Sequence, residues 1–220
     1  MFMHNPGVNW VKKAVASFQP GQNSITLAGG DVYTYDYLIV NPGLELRFDL
    51  IEGSREALND IDTPVSTIYT VSGAYKTSSI RENFRGGKAI YHSPPFPIKC
   101  GGAPLKIMFL SEETFRKNRI RDSVKIEYYA ATGNYFPPCK KFADALAPLA
   151  TSKGISPHFN HTLTKINKRD RVATFKTADG EVDVNFDLLH FVPPQSAPEF
   201  VRTSELAAAN GYVDVNKHSL

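Results

Sequence analysis

The chain has 220 residues, 42% hydrophobic and 21% charged, which is enough to build a sizeable core in one large domain or two small ones. These proportions exclude low-complexity disorder, collagen and a disulfide-stapled miniprotein. With 25 basic against 22 acidic residues the net charge is only +3, and the basic groups are short and scattered, which speaks against a nucleic-acid partner.

The opening Met1-Phe2-Met3-His4-Asn5-Pro6 has neither the basic-then-apolar layout of a secretory signal nor the Arg/Ser richness of a transit peptide. No apolar run approaches the roughly 18 residues of a membrane span. Residues 24–27 and 32–35 alternate in polarity around Gly29-Gly30-Asp31, predicting a half-exposed hairpin. Asp36 then leads into Tyr37-Leu38-Ile39-Val40, expected as a short strand buried on both faces and stopped by Pro42-Gly43. The same succession returns near the end of the chain. Residues 172–176 and 182–184 flank an Asp179-Gly180 turn, and Asp187 precedes the apolar Leu188-Leu189-His190-Phe191-Val192 and Pro193-Pro194. This weak repeat, at about a domain's length, implies two related halves.

Between the copies, residues 88–91 predict a strand, Pro104 opens a helix to about residue 118, residues 124–131 predict a second strand and residues 140–153 a second helix. Proline suits a first helical turn, and Ile107, Leu110 and Phe115 follow it as an apolar face. The second helix carries Phe142, Leu146 and Leu149 at core spacing, with Pro148 as a kink. Alternating strands and helices predict an α/β fold with a doubly wound parallel sheet. The expected organisation is the tail of one such domain at 1–53, a Ser/Thr/Asp-rich connection at 54–86, a nearly complete second domain at 87–194, and a return segment at 195–220.

A loop that cradles a dinucleotide pyrophosphate needs G-x-G-x-x-G between strand and helix, because backbone N–H groups must come close. The 15 glycines nowhere form even G-x-G. Where that loop belongs in the second domain stand four prolines and a thiol, in Ser93-Pro94-Pro95-Phe96-Pro97-Ile98-Lys99-Cys100-Gly101-Gly102-Ala103-Pro104. Cys100 lies just before a helix start beside Lys99, with Lys106 in the first turn, the setting of an activated nucleophile. Cys139, before the second helix and Lys140-Lys141, allows the same electrostatic argument but lies away from the first strand-to-helix crevice. His158-x-x-His161 falls in a predicted strand, where the two rings would point to opposite faces, and it has no third ligand at metal spacing. No metal is expected, and His190 reads as a core imidazole. There is no Walker A loop, G-x-S-x-G elbow or H-E-x-x-H helix.

The stretches Tyr35-Asp36-Tyr37-Leu38-Ile39-Val40-Asn41-Pro42-Gly43, Asn83-Phe84-Arg85-Gly86-Gly87-Lys88-Ala89-Ile90 and Pro97-Ile98-Lys99-Cys100-Gly101-Gly102-Ala103-Pro104-Leu105-Lys106 resemble the eukaryotic mitochondrial sulfide:quinone oxidoreductases. The resemblance runs in order along nearly the whole chain, and the Pro-x-Lys-Cys-x-Gly-Ala-Pro run is its most specific part. It implies a Rossmann-like FAD/NAD(P)-binding fold, with FAD in the first domain and a second domain that does not use NAD. It also implies oxidation of sulfide to sulfane sulfur through a cysteine persulfide, with electrons passing to FAD and ubiquinone and the product sulfur to an acceptor. Cys100 matches the first of two redox cysteines, Val15 a position contacting the flavin adenine, and Pro42 and Gly43 the turn that approaches the cofactor. Location at the mitochondrial inner membrane, held peripherally through a C-terminal part, is implied as well. The family's pyrophosphate loop is expected before Met1. Its second flavin motif, partner cysteine and amphipathic anchor are expected after Leu220, so these residues alone should bind little FAD. The alternatives are a non-catalytic relative and another FAD-dependent oxidoreductase of the pyridine nucleotide-disulfide type.

Overall fold

The computed structural model describes residues 7–216 with His218 and Ser219. The opening stretch compared above with targeting signals lies outside the described residues. In chain order the elements are β1 (Val15–Gln19), β2 (Ser24–Leu27), β3 (Val32–Thr34), β4 (Glu45–Leu46), α1 (Ser54–Asn59), β5 (Val65–Ser66) and α2 (Val71–Asn83). Then follow β6 (Gly87–Ser93), α3 (Ala103–Lys117), β7 (Val124–Ala130), α4 (Lys140–Ser152), β8 (Ile155–Phe159), β9 (Thr162–Asn167) and β10 (Val172–Thr177). The last are β11 (Gly180–Asn185), β12 (Leu188–His190), β13 (Gln195–Ser196) and α5 (Glu199–Arg202). The chain divides into two compact units, one made of Met1–Glu45 with Ser196–Leu220 and the other of Leu46–Gln195.

In the first unit β1, β2 and β3 form an antiparallel meander. Its small core gathers Phe18, Ala197 and Val201, with Phe18 stacked on Phe200 at 5.6 Å between ring centroids. The hairpin predicted at 24–35 is present. The strand expected at 37–40 is not: Leu38 and Val40 pack against the core, but Tyr37 and Ile39 are 93% and 90% exposed. A strand buried on both faces needs hydrogen-bonded neighbours, and among the described residues none runs beside this segment.

The second unit is built on a parallel sheet of order β5-β12-β6-β7-β8. Period-two alternation divides its side chains. Ala89, Tyr91, Ile126, Tyr128 and Ala130 point to one face, where Leu105, Met108 and Phe115 of α3 and Ala150 of α4 cover them. Val65, Ile90, Tyr129 and Leu189 point to the other, against the meander β9, β10 and β11 and its Leu163, Ala173, Phe175 and Val184. Helices, parallel sheet and antiparallel meander thus make three layers. The second repeat copy does feed its hairpin into a buried strand. Asp187 fixes that entry by accepting the Lys88 amide at 2.8 Å, and Gly87, at φ +101, leaves room for the Asp187 carboxylate where a Cβ would collide.

Residues 54–86, read as a connection, carry α1, β5 and α2, and β5 is an edge strand of the parallel sheet. A two-residue strand leaves almost no periodic signal in a sequence. The helices begin and end within a residue or so of expectation, but their apolar stripes turn differently. On α4 it is Ala143 and Ala150 that are buried, while Phe142 and Leu149 stand exposed, as does Leu110 on α3. Small residues let α4 approach the sheet closely, which pushes the larger ones to the flank of the contact.

Candidate functional site

The loop between β6 and α3 carries Cys100 at the end of the sheet where parallel strands finish. The thiol is exposed and free, and Cys100 is one of few non-glycine residues at positive φ, +57. Four contacts hold it there. The Ala103 amide donates to the Cys100 carbonyl at 2.8 Å, opening α3. The Tyr69 hydroxyl lies 2.7 Å from the Lys99 carbonyl and 3.2 Å from that of Cys100. The Lys99 amide donates to Gln195 Oε1. Gly101 lies under the Phe96 ring, in space that any Cβ would have to share with it.

Lys106 Nζ is 3.6 Å from Cys100 Sγ. It comes from the first turn of a helix that starts without an acidic residue, so the positive end of α3 and an ammonium group converge on one sulfur. Negative charge developing on that sulfur meets both. Beside the thiol, α3 and α4 enclose an apolar groove of about 740 Å³, lined among others by Gly102, Leu105, Lys106, Phe109, Phe136 and Leu146. Lys106 therefore borders both the sulfur and the groove.

Cys139 is half-buried at the N-cap of α4, and its carbonyl accepts the Phe142 and Ala143 amides. The two cysteines are not joined to each other. Val15 opens β1 and packs on the first unit's core, whereas Pro42 and Gly43 lie in the exposed segment after it, Gly43 at φ +81. His158 stacks on Tyr129 at 4.3 Å and His161 meets the same ring edge-on at 5.4 Å, so the two imidazoles come within 5.9 Å of each other. His161 falls just past the end of β8, which frees its ring from the strand's alternation. Among the described residues no three His, Cys, Asp or Glu side chains gather as a ligand set.

Two imidazoles lie deep in the second unit. Burial pushes His92 and His190 down to about 3, so both are neutral at physiological pH. His190 Nε2 accepts the Ile68 amide at 3.1 Å, which places the residue before Tyr69. Neither Tyr69 nor Gln195 was a candidate on sequence grounds. Each reaches the thiol loop from a distant segment, and nothing in the residues around them marks that reach.

No protein-family model matches the chain. Curated relatives do. Proteins named mitochondrial sulfide:quinone oxidoreductase from Dictyostelium discoideum and Mus musculus are each 35% identical to it, over 216 and 217 residues respectively. The chain is a homologue of these mitochondrial enzymes. The alignments cover 97% of it, and it spans 47% and 48% of the two sulfide:quinone oxidoreductases, about half their length. Among solved structures, the sulfide:quinone oxidoreductase of Aquifex aeolicus shares the fold at TM-score 0.72 and 20% identity, over 93% of this chain and 47% of that one. A chain in the mitochondrial ATP synthase assembly of Tetrahymena thermophila matches at TM-score 0.82 and 22% identity, over 96% of this chain and 53% of that one. Further neighbours are FAD/NAD(P)-binding oxidoreductases, in keeping with the Rossmann-like fold. No helix among the described residues is long and apolar enough to cross a membrane.

Proposed function

We propose that this chain is the thiol-bearing part of a mitochondrial sulfide:quinone oxidoreductase, in which Cys100 carries sulfur between hydrosulfide and an acceptor. One observation supports this above all: an exposed thiol with an ammonium 3.6 Å from its sulfur, on a loop that stands where a dinucleotide domain keeps its phosphate cradle. Hydrosulfide is an anion, and so is the thiolate it releases when it opens a disulfide. In that step the incoming sulfur forms a bond to one cysteine as the old S–S bond breaks, and the electron pair leaves on the other. Lys106 is placed to attract the first anion and to compensate the second. The partner cysteine is proposed to lie in the part of the enzyme that these residues do not span.

The reading requires FAD, which when bound supplies a two-electron acceptor. Val15, Pro42 and Gly43 are the residues proposed to border it. Gly43 leaves open space where a side chain would stand, and Tyr37 and Ile39 expose apolar surface in the same segment. The 220 residues contain no G-x-G to cradle a pyrophosphate, so the isolated chain is expected to hold the flavin weakly. Stoichiometric flavin carried through purification would contradict that. Ubiquinone as electron acceptor, a sulfane-sulfur acceptor, and peripheral residence at the mitochondrial inner membrane belong to the same proposal.

The test is sulfur transfer to the thiol. Purified protein is treated with inorganic polysulfide, free thiols are blocked, and the peptides are weighed. Attack of the Cys100 thiolate on an S–S bond leaves a persulfide and a shorter polysulfide, so the peptide holding Cys100 should gain one sulfur and Cys100→Ser should gain none. A gain confined to Cys139, or no gain at all, would refute the reading.

A further inference from the structure

The loop that carries Cys100 is over-determined, and the group that holds it comes from a part of the chain that looked like a linker. A non-glycine residue in the left-handed region is a cost that persists only where surroundings enforce it. Of the contacts that hold it, the Tyr69 hydroxyl is the one that faces both carbonyls of the turn. It has one proton and faces two successive carbonyls, taking Lys99 at 2.7 Å and sharing Cys100 at 3.2 Å. Burial, with the thiol's charge adding to it, pushes that hydroxyl up to about 12, so it remains a donor throughout the physiological range. Tyr69 is itself anchored from below. His190, fully buried at the end of β12, accepts the Ile68 amide, and the neutral imidazole is the form able to do so.

We infer that Tyr69 is a positioning residue for the reactive thiol: through the 99–100 peptide it keeps Cys100 in the left-handed conformation that sets its sulfur beside Lys106. The inference rests on the reading of Cys100 as the working thiol. Without the hydroxyl, the 99–100 peptide loses the donor that faces both carbonyls while the Ala103 and Gln195 contacts remain, and the sulfur shifts away from the ammonium. Tyr69 touches neither sulfur nor substrate, and its effect runs through the geometry of that pair alone.

The experiment uses the full chain with Cys139→Ser, so that Cys100 is the sole thiol. Its rates with neutral iodoacetamide and with dianionic 5,5′-dithiobis(2-nitrobenzoate) are measured at low salt, and the anionic-to-neutral ratio reports the ammonium beside the sulfur. Tyr69→Phe should lower that ratio about fivefold, the influence of one unit charge about 4 Å away in a water-like medium. Lys106→Met should lower it equally, and the double variant should fall no further than Lys106→Met alone. A purely structural role would change both rates together and leave the ratio intact. A ratio unchanged in Tyr69→Phe while Lys106→Met lowers it would overturn the positioning role and spare the reading of Cys100. So would additive losses in the double variant. A Cys100 that reacts with neither reagent in the parent protein would overturn both at once.

Discussion

Exposure separates the two thiols. Cys100 is open to solvent while Cys139 is half-buried at its helix cap, so iodoacetamide followed by peptide mapping should label Cys100 several times faster. Equal labelling would mean that the loop is not held as described. Cys100 was legible in the sequence because its signals are local: a thiol, its neighbouring lysines and a helix start, all within eight residues. Tyr69 was not, because the fold alone brings it 30 residues along the chain to the carbonyls it holds. His92 and His190 give the molecule an acid limit. In the folded state both stay neutral down to about 3, whereas in the unfolded chain they charge near 6.5, so the unfolded state binds more protons throughout that window. The stability owed to their neutrality is complete above about pH 6.5 and falls as the pH drops. Each costs about 1.4 kcal/mol per pH unit, which by pH 4.5 is on the order of 5 kcal/mol for the pair. The urea midpoint should fall steeply between pH 6.5 and 4.5, and His92→Leu should reduce that slope by about half. A midpoint flat across this range would show that the imidazoles are not buried as described.

Helices α3 and α4 show what periodicity can and cannot tell. Phe142, Leu146 and Leu149 recur at helical spacing, yet only Leu146 packs on the core and the sheet is met by Ala143 and Ala150 instead of Phe142 and Leu149, because the pattern locates an apolar stripe without saying which edge of it faces inward. Leu149→Ser should therefore change stability by no more than about 0.5 kcal/mol. Ala150→Leu, by overpacking a site with no space, should cost about 1–3 kcal/mol in the same urea titration. Reversed magnitudes would mean that α4 is rotated. Glu112 joins the two helices. It is fully buried, and it accepts Lys153 Nζ at 2.7 Å and Arg116, with Arg121 Nε 3.6 Å away. Burial alone would raise its carboxyl, but the Lys153 and Arg116 hydrogen bonds prevail and hold it below the usual carboxylate range. Glu112→Gln should cost about 2–3 kcal/mol, read by denaturant unfolding, since it strips the shared anion from three cations. The segment 37–40 went astray for a different reason. Four apolar residues in a row are compatible with a central strand, but a strand exists only where another strand offers hydrogen bonds.

At the scale of the whole molecule the second unit is one uninterrupted stretch, Leu46–Gln195, whereas the first is assembled from two. A protein cut to residues 46–195 should retain a cooperative thermal transition, seen by circular dichroism, because all three of its layers come from within that stretch. Loss of the transition would show that the sheet depends on residues outside it. The α/β class and the parallel sheet were legible from alternating strands and helices. The allocation of residues 54–86 was not, because a two-residue edge strand is recognised only by its partner. The split of the first unit also bears on how the protein is made. Phe18 of β1 reaches a ribosome's exit early, but the Val201 and Phe200 it packs against come about 180 residues later, roughly 10–40 s at ordinary elongation rates. Throughout that wait the meander has no cover for its apolar face while the intervening unit can complete itself. Newly made chains are therefore most exposed to chaperones and proteases at the N-terminal meander, and slowing translation should lengthen that exposure while sparing the unit that carries Cys100.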